Sequence, residues 1–305
     1  MPELARSRVV VFGTGTMAAG IAAGFMEKGL PVTLVGRNAE KAQDCISKSL
    51  ALVGRADEGG APHVASDRVE DIDWSEVVWV IETIVENMHV KQQLFERLDS
   101  LVPSHIPIGS NSSGFPISKL VDRLKTSSRF MGAHYFMPAE VVPLVEIVLG
   151  EKTDVEQANR VVALYREIGK KPVLVKKDIP GFLANRIQHA LMREALNLVE
   201  LGVASPEDVD DAVRYSFGFR YAAVGPMTQK EISGWDGMAA AAREIYPSLS
   251  NATKLSPTLE RMMVEGRTGM KAGHGFRPWT AEEAQETRAA YMQRLSAAFK
   301  ILNMP

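Results

Sequence analysis

Arg8-Val9-Val10-Val11-Phe12-Gly13-Thr14-Gly15-Thr16-Met17-Ala18 is an apolar, β-branched run closed by two glycines and followed at once by a helical period. An uninterrupted run of valines reads as a strand buried on both faces, as in a parallel sheet. The glycines stand where the chain turns tightly and lets a ligand approach the backbone. The helix beginning at Met17 points its amides and positive dipole end at the same spot, which suits a pyrophosphate. Gly13, Gly15, Thr16 and Met17 are therefore candidate cofactor-binding residues, and the alternative for them is an ordinary tight turn.

Outward from this unit, short β-branched runs alternate with amphipathic stretches, the signature of βαβ units. Strands are expected at 8–12, 31–35, 76–81, 106–109, 129–134, 144–149 and 172–176, and helices at 17–28, 39–52, 89–101 and 155–168. The strands around His134 and Glu146 have no helix between them, which breaks the alternation. Beyond Asp178 only helical periods follow, including a strong start at Ser205-Pro206-Glu207-Asp208, where a cap serine precedes proline and early acids. The expected architecture is an α/β Rossmann-type domain with a mostly parallel sheet over residues 1–178, followed by an all-α C-terminal domain over 179–305.

The second strand ends at Gly36-Arg37-Asn38, where NAD enzymes of this type usually carry an acid for the ribose hydroxyls. No acid stands there. Arg37 offers a planar cationic fork to a 2′-phosphate, so NADP(H) is the favoured cofactor and NAD(H) the alternative, with Arg37 then a solvated loop residue.

Further segments lie at or just after predicted strand ends, the edge where open α/β sheets bind ligands. They are Glu82-Thr83-Ile84-Val85-Glu86-Asn87, Asn111-Ser112-Ser113 and His134-Tyr135-Phe136-Met137-Pro138. Glu146 follows in Leu144-Val145-Glu146-Ile147-Val148, and Asp178-Ile179-Pro180-Gly181-Phe182-Leu183-Ala184-Asn185-Arg186 opens the helical part. Together with Gly225-Pro226 and Gly273-His274-Gly275-Phe276, these motifs resemble the 3-hydroxyacyl-CoA dehydrogenase superfamily in order and spacing over nearly the whole chain. The resemblance implies that His134 is the catalytic acid-base, Glu146 its partner, and Ser113 and Asn185 the polar groups around the reacting oxygen. Such roles are chemically coherent, because hydride removal from an alcohol also requires a base for the hydroxyl proton, and imidazole is suited to it. The resemblance also places Glu86, Lys91 and Asn111 near the cofactor, though a solvated helix start accounts for Glu86 and Lys91 as well. With Asn185 drawn from the second domain, the site is expected in an interdomain cleft.

Two departures point away from a CoA thioester. Met137 stands where the acyl-CoA enzymes usually carry asparagine, and Lys48 to Asp67, with Gly54, Gly59, Gly60 and Pro62, reads as a short loop in place of a charged helical hairpin. The pattern is closer to relatives acting on small acids, such as L-carnitine dehydrogenase, L-gulonate 3-dehydrogenase and the pyridine-ring dehydrogenase of vitamin B6 breakdown. Met137 and Arg220 are candidate substrate contacts; Arg220 is either a carboxylate partner or a surface cation. The competing readings are a 3-hydroxyacyl-CoA dehydrogenase proper and, from a different class, a non-catalytic dinucleotide-binding or structural protein.

Composition agrees with a globular enzyme: 305 residues, 46% hydrophobic and 24% charged, enough to bury a substantial core. A formal net charge of −2 supplies no basic field for nucleic acid or an anionic membrane. The single cysteine, Cys45, forms no internal disulfide, and no metal is expected. No signal peptide or apolar span of bilayer length is read, so the expected setting is the cytoplasm, with a small-molecule substrate and a homodimer formed through the helical part.

Overall fold

Val9, Val10 and Val11 have no exposed surface, nor do Val32, Leu34, Trp79, Val80 and Ile81 on the neighbouring strands. Apolar residues on both faces of one sheet are what a strand covered by helices on either side requires. The computed structural model describes residues 7–54 and 63–302, which divide into two units, the first ending at Arg186 and the second beginning at Ile187.

The first unit holds one eight-stranded sheet. Its strands are β1 (Arg8–Phe12), β2 (Val32–Val35), β3 (Val64–Ser66), β4 (Val77–Glu82), β5 (Ile108–Ser110), β6 (Phe130–Tyr135), β7 (Leu144–Val148) and β8 (Lys171–Val175). They lie in the order β3-β2-β1-β4-β5-β6-β7-β8. All neighbours are parallel except β6 and β7. The strand order reverses at β1, whose neighbours are β2 and β4, which opens the crevice where such sheets bind ligands. Helices α1 (Thr16–Glu27), α2 (Ala39–Leu52), α3 (Met88–Leu101), α4 (Ile117–Leu120) and α5 (Val155–Glu167) accompany the sheet. Two hydrophobic clusters fill the unit: one of α1 and α5 residues such as Phe25 and Tyr165, the other of α3 residues such as Phe95 with Phe130.

The seven expected strands are present, and an eighth, β3, lies inside the segment expected to be a loop. At three residues it is too short for alternation to register. Within the same segment Gly59, Gly60 and Pro62 fall outside the described residues.

The second unit is helical. It holds the greater part of α6 (Ala184–Glu200), which starts in the first unit, then α7 (Pro206–Tyr215), α8 (Phe217–Ala223), α9 (Pro226–Ser233), α10 (Trp235–Ile245), α11 (Pro257–Val264) and α12 (Ala281–Leu302). The start read at Ser205 is a full capping box, with Ser205 and Asp208 bonding each other's backbone amides. Among the described residues no helix is long and apolar enough to cross a membrane.

Candidate active site

Gly13 has φ +124°, and a Cβ there would stand 2.6 Å from the Thr83 carbonyl oxygen, so glycine is required on two counts. Gly15, at the N-terminus of α1, has nothing within 4 Å of where a Cβ would lie. No side chain caps that helix, and its first turn carries no acid. Free amides, an uncompensated positive helix end and open space above a glycine form a cradle for an anionic group. The residues present therefore fit a dinucleotide pyrophosphate. Gly36 is fixed as well: a Cβ on it would meet Thr14 Cγ2 at 2.8 Å and the Asn38 oxygen at 3.0 Å. A side chain at this position, an acid included, would have to displace the Thr14 methyl group.

From this cradle a cavity of about 1500 Å³ runs along the strand ends. Its wall includes Gly13, Gly15, Thr16, Met17 and Arg37 toward one side, and Glu86, Asn111, Ser113, His134, Met137 and Asn185 as well. All belong to the first unit, Asn185 included, since the unit extends to Arg186. Arg220 is an exposed residue of α8 in the second unit.

His134 and Glu146 are direct partners in the antiparallel register of β6 and β7, so their side chains leave the same face of the sheet. His134 Nδ1 lies 2.7 Å from Glu146 Oε2, with both side chains buried. A carboxylate only accepts, so the ring donates from Nδ1 and keeps the Nε2 lone pair free. Glu146 does not line the cavity; it sits behind the histidine. Its other oxygen, Oε1, accepts from the Leu183 amide at 3.2 Å and the Ala184 amide at 2.7 Å, at the start of α6. That start is reached through Gly181 (φ +77°) and Phe182 (φ +49°). Positive φ is strained for a phenylalanine, and the conformation is held by burial: Phe182 is 1% exposed, with its ring 5.6 Å from that of His134. Phe136 packs edge-on against the imidazole from another side at 4.6 Å.

Ser113 is exposed on the cavity wall, whereas its neighbours Ser110 and Ser112 are buried. Those two are tied into a network the sequence did not announce. Glu82, with no exposed surface, accepts from Ser110 Oγ (2.6 Å), the Ile84 amide (2.7 Å) and Lys91 Nζ (2.6 Å). Glu86 accepts from Ser112 Oγ (2.5 Å) and the Ser113 amide (3.1 Å), with Lys91 Nζ at 3.3 Å. Lys91 is therefore placed beneath the wall, where it neutralises carboxylates that stitch the loops after β4 and β5 together. Asn111 lies on the wall and also accepts from the Tyr135 amide at 2.9 Å through Oδ1, bracing the strand that carries His134. The signal for Glu82 was of the kind that marked Glu146, an acid within an apolar strand run, here at its last position.

With this geometry in hand, comparison with known proteins gives consistent matches. The family model for the NAD binding domain of 3-hydroxyacyl-CoA dehydrogenase matches residues 8–179, and that for the C-terminal domain matches 181–279. The 5-formyl-3-hydroxy-2-methylpyridine 4-carboxylate 5-dehydrogenase of Mesorhizobium japonicum is 31% identical over 303 residues, covering 96% of this chain and 97% of its own. A crystal structure of an enzyme of that name, described as an NAD+ dependent dismutase, superposes with TM-score 0.88 at 31% identity, over 97% of this chain and 98% of that one. A 3-hydroxyacyl-CoA dehydrogenase from Archaeoglobus fulgidus gives 0.69 at 26% identity, over 97% and 99%.

Proposed function

The chain belongs to the 3-hydroxyacyl-CoA dehydrogenase family, and on that premise we propose that it oxidises the hydroxyl-bearing carbon of a 3-hydroxy acid or related small substrate, or reduces the corresponding carbonyl, with His134 as acid-base. The family consists of nicotinamide-dependent oxidoreductases acting on CH–OH groups. The observation that carries the reading is the His134–Glu146 pair, 2.7 Å apart, with the histidine on the wall of the large cavity. Bound, the nicotinamide dinucleotide accepts or returns the hydride. In oxidation His134 Nε2 takes the hydroxyl proton while Glu146 holds the opposite nitrogen, and in reduction it gives the proton back. Ser113 and Asn185 supply hydrogen bonds to the oxygen whose charge changes. Glu86 and Asn111 line the same cavity.

A small substrate is favoured over a CoA thioester on two grounds. Met137 is 64% exposed on the cavity wall, an apolar contact beside the reacting centre. The relative matching nearly the full length of both chains is named for a pyridine carboxylate, and its namesake structure fits better than the acyl-CoA enzyme. For the cofactor we favour NADP(H), because Gly36 carries no acid and Arg37 lies on the cavity wall with Lys41 and Lys48. NAD(H) is the second reading, supported by Asp44 and Asp67 on the same wall and by the NAD+ dependence stated for the structural relative. A panel of hydroxy acids, keto acids and acyl-CoAs with both cofactors tests both points. Turnover is expected on small acids with NADP(H), and Arg37→Ala raises KM for NADP(H) roughly ten- to a hundredfold with little change for NAD(H). Preference for acetoacetyl-CoA refutes the substrate class, and strong preference for NAD(H) refutes the cofactor assignment.

The working form is a homodimer. Among the described residues after Arg186 only Met262 and Ala284 are buried hydrophobics, while Leu201, Phe219 and Ile232 are each about 70% exposed. Helices with so little core of their own and large apolar side chains exposed call for an apolar partner, and a second copy supplies the same surface by symmetry. Light scattering at micromolar concentration is expected to give twice the chain mass of 33.4 kDa; a monomer overturns this.

A further inference from the structure

We propose that Lys170 is a positioning residue for this site, holding in register the loop that joins the strand of His134 to the strand of Glu146. The loop runs from Phe136 to Pro143, between β6 and β7. Its amides at Val141 and Val142 turn back onto the Pro138 carbonyl, at 3.2 and 2.9 Å. Three other carbonyls of the loop meet Lys170: its Nζ donates to the oxygens of Ala139 (2.6 Å), Val142 (3.0 Å) and Glu140 (3.5 Å). The side chain is buried, 8% exposed. Placing an ammonium there costs desolvation unless each proton is used, and the three carbonyls match its three donors.

The loop is gripped from the other side by α1. A Cβ on Gly20 would lie 2.5 Å from Glu140 Oε2 and 3.1 Å from Ala139 Cβ, so glycine is what lets loop and helix meet. Gly24, one turn on, lies against Lys170 Cε. The same helix offers its N-terminus to the cofactor, so Lys170 pins the His134–Glu146 connection against the element that receives the dinucleotide. Phe136 and Met137, on the cavity wall, are the first residues of the pinned loop.

The charge on Lys170 is conditional. Burial lowers its pKa from the usual 10.5 to about 8, against the opposing pull of Glu140 and Glu27. The groups around it are Glu27 at the end of α1 with Lys28 just beyond it, Tyr135 on β6, Glu140 in the loop and Tyr165 on α5. Tyr135 and Tyr165 are both driven upward by burial and stay neutral through this range. Arg166, Glu167 and Lys171, its near neighbours in sequence, are exposed. As pH rises through about 8 the folded state releases the proton before the unfolded chain does. Global stability therefore gains with pH between there and 10.5. Locally, the neutral amine keeps two donors for three carbonyls, and the loop loosens.

The inference rests on the proposed roles of His134 and Glu146, so its test includes a readout that needs no substrate. The backbone amide NMR resonances of Val141 and Val142 are expected to titrate with a midpoint near pH 8 in the wild type and to stay flat in Lys170→Arg, whose guanidinium keeps its charge. In turnover, the wild type shows an alkaline decline near the same pH. Lys170→Arg retains activity and shifts the decline upward, while Lys170→Met lowers kcat roughly ten- to a hundredfold with cofactor Kd unchanged. A flat amide profile in the wild type, or one unaltered by Lys170→Arg, overturns the proposal even if Lys170→Met fails to fold. Lys170→Met with lower thermal stability but wild-type kcat and pH profile also overturns it, leaving a structural role only. An enzyme inactive on every hydroxy acid whose amides nevertheless titrate as stated counts against the proposed function and not against Lys170.

Discussion

His134→Ala is expected to lower kcat by about 10²–10⁴-fold, the span for removal of a positioned general acid-base, with cofactor affinity unchanged. The separation follows from geometry. The amides and open space that receive a pyrophosphate lie at Gly13, Gly15 and the start of α1, and none depends on the imidazole. The ring is packed between Phe136 and Phe182, so truncation leaves a cavity among buried neighbours. A stability loss of about 2–4 kcal/mol is expected from that cavity alone. Thermal melting must therefore accompany the kinetics, and His134→Gln, which fills more of the space, is the companion variant. Undiminished kcat in either variant with bound cofactor removes His134 from the chemistry.

How far this was legible from sequence depended on whether the controlling interaction is local. The turn at Gly13 and Gly15 is written within a few residues, because the strand, the conformational demand and the helix start are contiguous. The pairing of His134 with Glu146 was implied by the family resemblance, to which a carboxylate between Val145 and Ile147 added that it either faces solvent or must find a partner; the structure places His134 directly across the ladder from it. Glu82 carries the same signal, yet its meaning lies in loops brought together only by the β4–β5 pairing. Lys91 read as a helix-start residue near the cofactor, and its burial beneath Glu82 and Glu86 depends on that same tertiary closure. Lys170 gave no local cue whatever: its acceptors are backbone carbonyls about thirty residues earlier in the chain, and carbonyls carry no sequence signature. The strand β3 escaped for the opposite reason, being fixed by pairing with β2 over too few residues to establish a period.

Glu146→Gln is expected to cost about 10³–10⁴-fold in kcat, comparable to the effect of forcing the wrong histidine tautomer in a serine protease triad. The present carboxylate meets only donors: His134 on Oε2, and the Leu183 and Ala184 amides on Oε1. Glutamine has one oxygen and one NH₂ for these two sides. If the oxygen stays with the two amides, the NH₂ faces Nδ1, and the ring must accept there and carry its proton on Nε2. It then presents a donor to the cavity and cannot take a hydroxyl proton. If the amide flips, the tautomer is kept, but the NH₂ opposes the N–H groups that open α6, and buried donors go unpaired at about 1–3 kcal/mol each. Because Phe182, held at positive φ, leads into that helix start, the second arrangement also releases the segment that packs on the imidazole. Neither orientation preserves both functions of the carboxylate, so the two measurements are linked: a variant that keeps stability loses turnover, and one that keeps turnover melts early. Wild-type kcat together with wild-type melting in Glu146→Gln would falsify the pairing as the determinant of the active ring.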